Sequence, residues 1–199
     1  RQQVCAGLVG VPQLIRITSR DPAPPPAEYI RVSGGLFLDM SIHDLDMARY
    51  LVQEPVVEVY ATGSAFDPAI AALGDIDTAV ILLRFASGAL CTIDNSRRAV
   101  YGYDQRIEVF GSKGMLRAEN LAPTSVERFG GAATCADNPW PNFQTRYAAA
   151  YAAELSSFIR SVETGKPAEV PPEDSRRVLL LCEAALKSSQ TGQPVRLKG

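Results

Sequence analysis

Between residues 56 and 112 the chain lays down four stretches rich in Val, Ile and Thr, at 56–65, 77–86, 89–98 and 104–112, and this run constrains the fold more than any other feature. Ser87-Gly88 separates two of them and reads as a hairpin. Ser112-Lys113-Gly114 leads from IEVFG into MLRAE and reads as a second hairpin, with glycine supplying positive φ. Strands joined by such turns pair antiparallel.

The flanks add helices. Leu14 to Arg20 alternates apolar and polar residues like a half-buried strand, and the proline run DPAPPP (21–26) ends it. After Ser33-Gly34-Gly35, the apolar positions Leu36, Met40, Leu45, Met47, Ala48, Leu51 and Val52 predict one helix near 37–52. Residues 120–144 are loop-rich, with 125–130 as a candidate edge strand. Residues 146–163 carry Tyr147, Tyr151, Leu155, Phe158 and Val162 at helical steps before Gly165, and 173–189 form a second helix opened by Pro171-Pro172 and closed at Gly192. A short strand over 194–197 ends the chain. The order strand, helix, antiparallel run, two helices predicts an α+β fold: an open, predominantly antiparallel sheet with helices packed on one face. Residues 2–10 read as the end of a helix leaving through Gly7 and Gly10, so something is expected before them.

The 199 residues, 46% hydrophobic and 21% charged, suit one globular domain over 1–199, with no internal repeat and no linker. Twenty Lys+Arg against 22 Asp+Glu, with no basic run, argue against nucleic acid. Lacking 18 consecutive apolar residues or a signal pattern, the chain is expected to work in the cytoplasm without a membrane. Cys5, Cys91, Cys135 and Cys182 form no CxxC pair and are expected as free thiols, with Cys91 and Cys182 buried in apolar runs. The start at Arg1 suggests a fragment, a processed form or a trimmed one.

Chemistry concentrates at Asp39-Met-Ser-Ile-His43-Asp44-Leu-Asp46. On one helix, positions 39, 43 and 46 share a face, and an imidazole beside carboxylates is what general acid/base work needs. The same three residues could serve a hard divalent ion in a metal-dependent hydrolase or isomerase, although His43 is the only histidine. A third reading keeps His43 as a structural residue in a non-catalytic binding or oligomerisation module. The polar and aromatic run from Asn95 to Asp104 and the group Thr18-Ser19-Arg20-Asp21 both sit at strand ends, where binding groups are often presented. There is no GxGxxG, GxxxxGK or GxSxG, so neither a nucleotide loop nor a serine-hydrolase elbow lies in these residues.

The segment SGGLFLDMSIHDLDMARY (33–50) resembles the C-terminal domain of the Gfo/Idh/MocA oxidoreductases, which carry a GG-x-x-x-D-x-x-x-H-D/E-x-D pattern. The resemblance continues through SRDPAPPPAEYIRVSGG, DTAVILLRFASGALCTIDNSRRAVYGYDQRIEVFGSKGMLRAEN and the final helices, and is nearest the inositol 2-dehydrogenase branch. It implies a dihydrodipicolinate-reductase-like open sheet, and a Rossmann domain that binds NAD or NADP and is absent from this chain. Residues 1–10 would then be the tail of the linking helix. It implies His43 as the general base that takes a hydroxyl proton while hydride passes to the nicotinamide, and Asp39 as the group that orients and tunes it. Asp46, Asp21, Ser19 and Tyr103 would contact the polyol, with Ser19 and Asp21 setting substrate preference. It implies no metal and no cofactor-binding residue in this chain. The family's Glu-Lys-Pro lysine is missing here, since Lys166-Pro167 follows Gly165 in a helix-ending turn, and the isolated chain is expected to be inactive. A homodimer or homotetramer would form through the outer sheet face, for which Ile81, Leu83, Phe85, Leu90 and Ile93 are the candidate residues.

Overall fold

The computed structural model describes residues 1–197. Gln2–Cys5 forms a single helical turn, α1, and Pro12–Arg20 forms strand β1. A proline-rich loop holds the short helix α2 (Ala27–Ile30), and the glycine pair then opens α3 (Leu36–Asp39) and α4 (Ser41–Val52). Next come β2 (Val56–Ser64), the short helix α5 (Pro68–Ala71), β3 (Thr78–Phe85), β4 (Leu90–Ser96), β5 (Asp104–Gly111) and β6 (Gly114–Ala118). β7 (Glu127–Phe129) and β8 (Thr134–Ala136) pair with each other, and α6 (Phe143–Arg146), α7 (Ala148–Thr164), α8 (Pro172–Thr191) and β9 (Val195–Arg196) follow.

The main sheet has seven strands in the order β6-β5-β1-β4-β3-β2-β9. β1 lies between β4 and β5; it runs parallel to β4 and antiparallel to β5, and the other neighbours are antiparallel. The parallel pair arises because the chain leaves β1 through α4, returns as β2 near the far edge, and works back strand by strand. That crossover leaves the ends of β1 and β4 side by side, with Arg20 opposite Ser96.

Alternation along the strands gives the sheet a dry face and an open face. In β3, Ala79, Ile81, Leu83 and Phe85 are buried, while Val80, Leu82 and Arg84 are exposed. Leu45, Ala48 and Leu51 of α4 and Val178, Leu181, Cys182 and Ala185 of α8 join the dry face in one apolar core. The Ala61 amide of β2 donates to Ser188 Oγ of α8 at 2.9 Å, fixing that helix to its strand. The α+β architecture read from the sequence is the one observed.

Several local expectations are corrected. The helix near 37–52 is two helices, parted at Met40, where φ −110° and ψ −55° depart from helical values. The Ala-rich helix is likewise interrupted at Tyr147 (φ −111°, ψ 18°), and no residue of α7 is buried, so it adds nothing to the core. The stretch 125–130 contributes β7 to a separate hairpin and not to an edge of the main sheet. The outer-face residues also change. Ile81, Leu83, Phe85 and Ile93 are at most 1% exposed and face the helices, because residues two apart share a face. Only Leu90, at 43%, lies on the open face, beside Val80, Leu82 and Phe110. All four cysteines are free, with Cys91 and Cys182 buried. No helix among the described residues is long and apolar enough to cross a membrane.

Candidate active site

The site forms where β1 and β4 end and where α3 gives way to α4. At the break the His43 amide donates to Met40 O at 3.3 Å, and each Asp39 carboxylate oxygen accepts a bond from another segment. Asp39 Oδ2 accepts from Arg97 Nη1 at 2.8 Å and its Oδ1 from the Tyr29 hydroxyl at 2.6 Å. Arg97, just past β4, is 1% exposed and also meets Asp75 Oδ2 at 3.4 Å. His43 is exposed, and among the described residues its side chain makes no hydrogen bond or ion pair. Asp39 thus ends α3 with its carboxylate bonded, while His43 stands on α4 with its imidazole open.

The other expected contacts are distributed around this pair. Asp21 follows β1, with its amide on Ser96 O at 2.9 Å and its carbonyl accepting from Ala99 N at 2.6 Å. Its carboxyl carries no hydrogen bond among the described residues. Desolvation pushes its pKa up against the opposing pull of Arg97, while Asp39 adds to the rise and His43 opposes it. Asp46, on α4 beyond His43, pairs with Arg49 at 3.2 Å, and Arg49 reaches Asp174 of α8 at 3.0 Å. Burial raises the Asp46 carboxyl, Arg49 lowers it, Asp174 raises it and His43 lowers it.

Tyr103 is half-buried, stacked edge-on against Phe143 (centroids 6.4 Å apart) and Tyr147 (6.0 Å). Desolvation, then the neighbouring Tyr147 and the carboxylates Asp21 and Asp44, hold its phenol protonated well above the ordinary value. Ser19 is 5% exposed and faces the interior, where its carbonyl accepts from Asn95 Nδ2 at 3.4 Å.

Asp44 is the group that residue patterning missed. It is 1% exposed with no cation beside it; Asn95 Nδ2 donates to it at 2.8 Å and Gln105 Nε2 at 3.0 Å. Ser41 Oγ donates to Asn95 Oδ1 at 2.6 Å and completes the network. Burial pushes the Asp44 carboxyl up to about 6, against the bonds from Asn95, Gln105 and Ser19. One turn of α4 is thus fixed to β1, β4 and β5, and His43 is the adjacent residue. A carboxylate directly after His43 on a helix that otherwise buries apolar residues was the available signal. Arg97 lay inside the strand-end cluster from Asn95 to Asp104; Tyr29 and Tyr147 gave no distinct signal, being an exposed residue in a proline-rich loop and a member of an apolar stripe.

An exposed imidazole among carboxylates can take a proton from a hydroxyl, and the carboxylates can accept hydrogen bonds from further hydroxyls. Among the described residues no group of three His, Cys, Asp or Glu side chains is placed to hold a metal ion. Arg97 and Tyr29 bond to Asp39, and Arg49 bonds to Asp46.

Comparison with known proteins agrees with this geometry. The profile of the GFO/IDH/MocA C-terminal domain matches residues 1–117. The chain is 53% identical over 199 residues to a myo-inositol 2-dehydrogenase of Thermotoga maritima, covering all of this chain and 60% of that protein. Among solved structures it is similar to a myo-inositol dehydrogenase from Corynebacterium glutamicum (46% identity, TM-score 0.95, 100% of this chain and 60% of that one). It is also similar to a scyllo-inositol dehydrogenase from Lactobacillus casei with bound NAD(H) and scyllo-inositol (28% identity, TM-score 0.88, 98% and 59%). The chain spans about 60% of the length of these relatives. Profile, sequence and fold agree that the chain belongs to the Gfo/Idh/MocA family and carries its C-terminal domain.

Proposed function

We propose that this chain is the substrate-binding and oligomerisation part of an NAD-dependent inositol or related polyol 2-dehydrogenase. The observation that carries this reading is the open, unbonded His43 near the carboxyls of Asp21 and Asp46, with Asp39 beside Asp21. Such a site suits a ring polyol, whose several hydroxyls need fixed acceptors to present one C–H and one O–H correctly. His43 takes the proton of the reacting hydroxyl as the ring carbon becomes a ketone. Asp21, Asp46 and the Tyr103 hydroxyl contact the remaining hydroxyls, while Ser19 acts from beneath through Asp44.

The described residues do not fit a dinucleotide. Gly111 and Gly114 flank the β5–β6 hairpin and Gly7 and Gly10 a loop, neither of them a strand-to-helix turn that could cradle a pyrophosphate. NAD or NADP, as hydride acceptor, is therefore assigned to a Rossmann domain outside these residues, and no step through it is derived. The open sheet face, with Val80, Leu82, Leu90 and Phe110 exposed, is the proposed contact for a homodimer or homotetramer.

Two measurements test the reading. Calorimetric titration of the 199-residue chain with myo- and scyllo-inositol is expected to show saturable binding that His43→Ala removes. The full-length protein is expected to reduce NAD with one of these polyols, and His43→Ala to lower kcat by about 10²–10⁴. Polyol binding without any NAD reduction by the full-length protein would move the assignment to a non-catalytic module.

A further inference from the structure

The carboxylate of Asp39 is held before any substrate reaches it, and what holds it is built at some expense. A guanidinium as buried as that of Arg97 is retained only where carboxylates meet it, and its planar fork can face two of them at once. The two are Asp39 at 2.8 Å and Asp75 at 3.4 Å. Asp75 also anchors the start of α3, because its Oδ1 accepts from the amide of Leu36, the first residue of that helix, at 3.1 Å. Gly35 leaves room for that approach, since a Cβ there would lie 3.1 Å from the same oxygen, and its φ of +84° suits glycine. Asp39 closes the same turn, with its amide on Gly35 O at 2.9 Å. The spacing of Gly35 and Asp39 in the GG-x-x-x-D pattern thus acquires a physical reason.

We propose that Arg97 and Asp75 are positioning residues of this site: Asp75 holds the first amide of α3 directly and the carboxylate at its last residue through Arg97, and together they set where Asp39 lies relative to His43. The inference rests on the acid/base reading of His43. The charged groups that bear on this corner are Asp21 from the end of β1, Asp39 from α3, Asp46 and Arg49 from α4, Asp75 ahead of β3, Arg97 from the end of β4 and Asp174 from α8.

The test exploits the fact that the chain has one histidine, so the His43 imidazole gives a single set of ring resonances by NMR. The pH midpoint of those resonances is measured in the parent chain, in Arg97→Lys, Asp75→Asn and Asp39→Asn, and in the two double variants that contain Asp39→Asn. Arg97→Lys keeps the charge and loses the fork; Asp75→Asn keeps an acceptor for Leu36 and loses the charge. Amide spectra establish that each variant folds, and either cycle alone decides. Arg97→Lys and Asp75→Asn are each expected to move the midpoint beyond the error of the titration, and that shift is expected to shrink at least threefold when Asp39 is already Asn. Equal shifts in both backgrounds, or no shift from either change, overturn the proposal. Polyol oxidation by the full-length protein is assayed separately: its failure removes the functional reading, while the coupling among Arg97, Asp39 and His43 stands or falls on the titration.

Discussion

Replacing Asp44 by Asn should change how stability depends on pH, and its sign follows from the structure. Burial raises the Asp44 carboxyl from the ordinary 3.8 to about 6, because three hydrogen bonds and no cation compensate its desolvation. A native value above the unfolded one means that folding holds this proton. The contribution is fully present below 3.8, declines as pH rises, and is gone once pH passes 6. At 1.36 kcal/mol per pH unit the full loss is about 3 kcal/mol, of which about 2 kcal/mol falls between pH 4 and pH 7. Asp44→Asn cannot ionise, so it should gain about 2 kcal/mol relative to the parent over that interval. Gln105 can serve the amide by rotating, since its Oε1 is buried without a partner. Urea unfolding of both proteins followed by circular dichroism at half-unit steps of pH gives the difference free of the other carboxylates, which are common to both. A difference that is constant with pH, or that favours the parent as pH rises, would refute the claim that Asp44 is buried without ionic compensation.

Two further predictions test the sheet. Leu83→Ala should cost about 2–5 kcal/mol and Leu82→Ala less than about 1 kcal/mol, since these neighbours are 1% and 44% exposed on opposite faces; equal losses in denaturant unfolding would mean the register is wrong. Gly111→Ala should cost on the order of 2 kcal/mol or more, because the new Cβ would be driven into the backbone carbonyls of Val9 and Val11, which cannot swing aside as a side chain can. An unchanged thermal midpoint for that variant would contradict the close approach of the 9–11 segment to β5.

The strands were readable because burial imposes its period directly on the sequence. TAVILLRF alternates faithfully between core and surface, and the glycine turns show where it reverses. What that reading could not supply was which apolar set faced the helices, since Ile81 and Leu82 are equally hydrophobic and only the register separates them. The place of β1 was hidden for a related reason: its partners are distant in sequence, and nothing local marks a parallel neighbour. At the site, residue spacing suggested Asp39 and His43 on one helical face. The spacing assumed a continuous helix, which the structure parts at Met40. Asp44 and Ser19 show the converse. Asp44 is polar in the middle of a helix and Ser19 polar at a strand end, and both are buried against Asn95, which donates to the Asp44 carboxylate and to the Ser19 carbonyl.

The position of β1 also dictates the sequence of events by which the chain becomes organised. Thr18 and Asp94, bonded at 2.7 Å, are separated by 76 residues, whereas Phe85 and Ala89 meet across a turn. Closing the long loop costs more entropy than closing the short ones, and the loss comes before any long-range contact rewards it. The β3–β4 and β5–β6 hairpins can therefore assemble early, leaving β1 to slot between two strands already in place. Arg20, Asp21 and the α4 helix that carries His43 arrive with that last insertion. A partly folded chain can thus hold most of its sheet and still have no pocket, so the appearance of ligand affinity during refolding should report the docking of one strand.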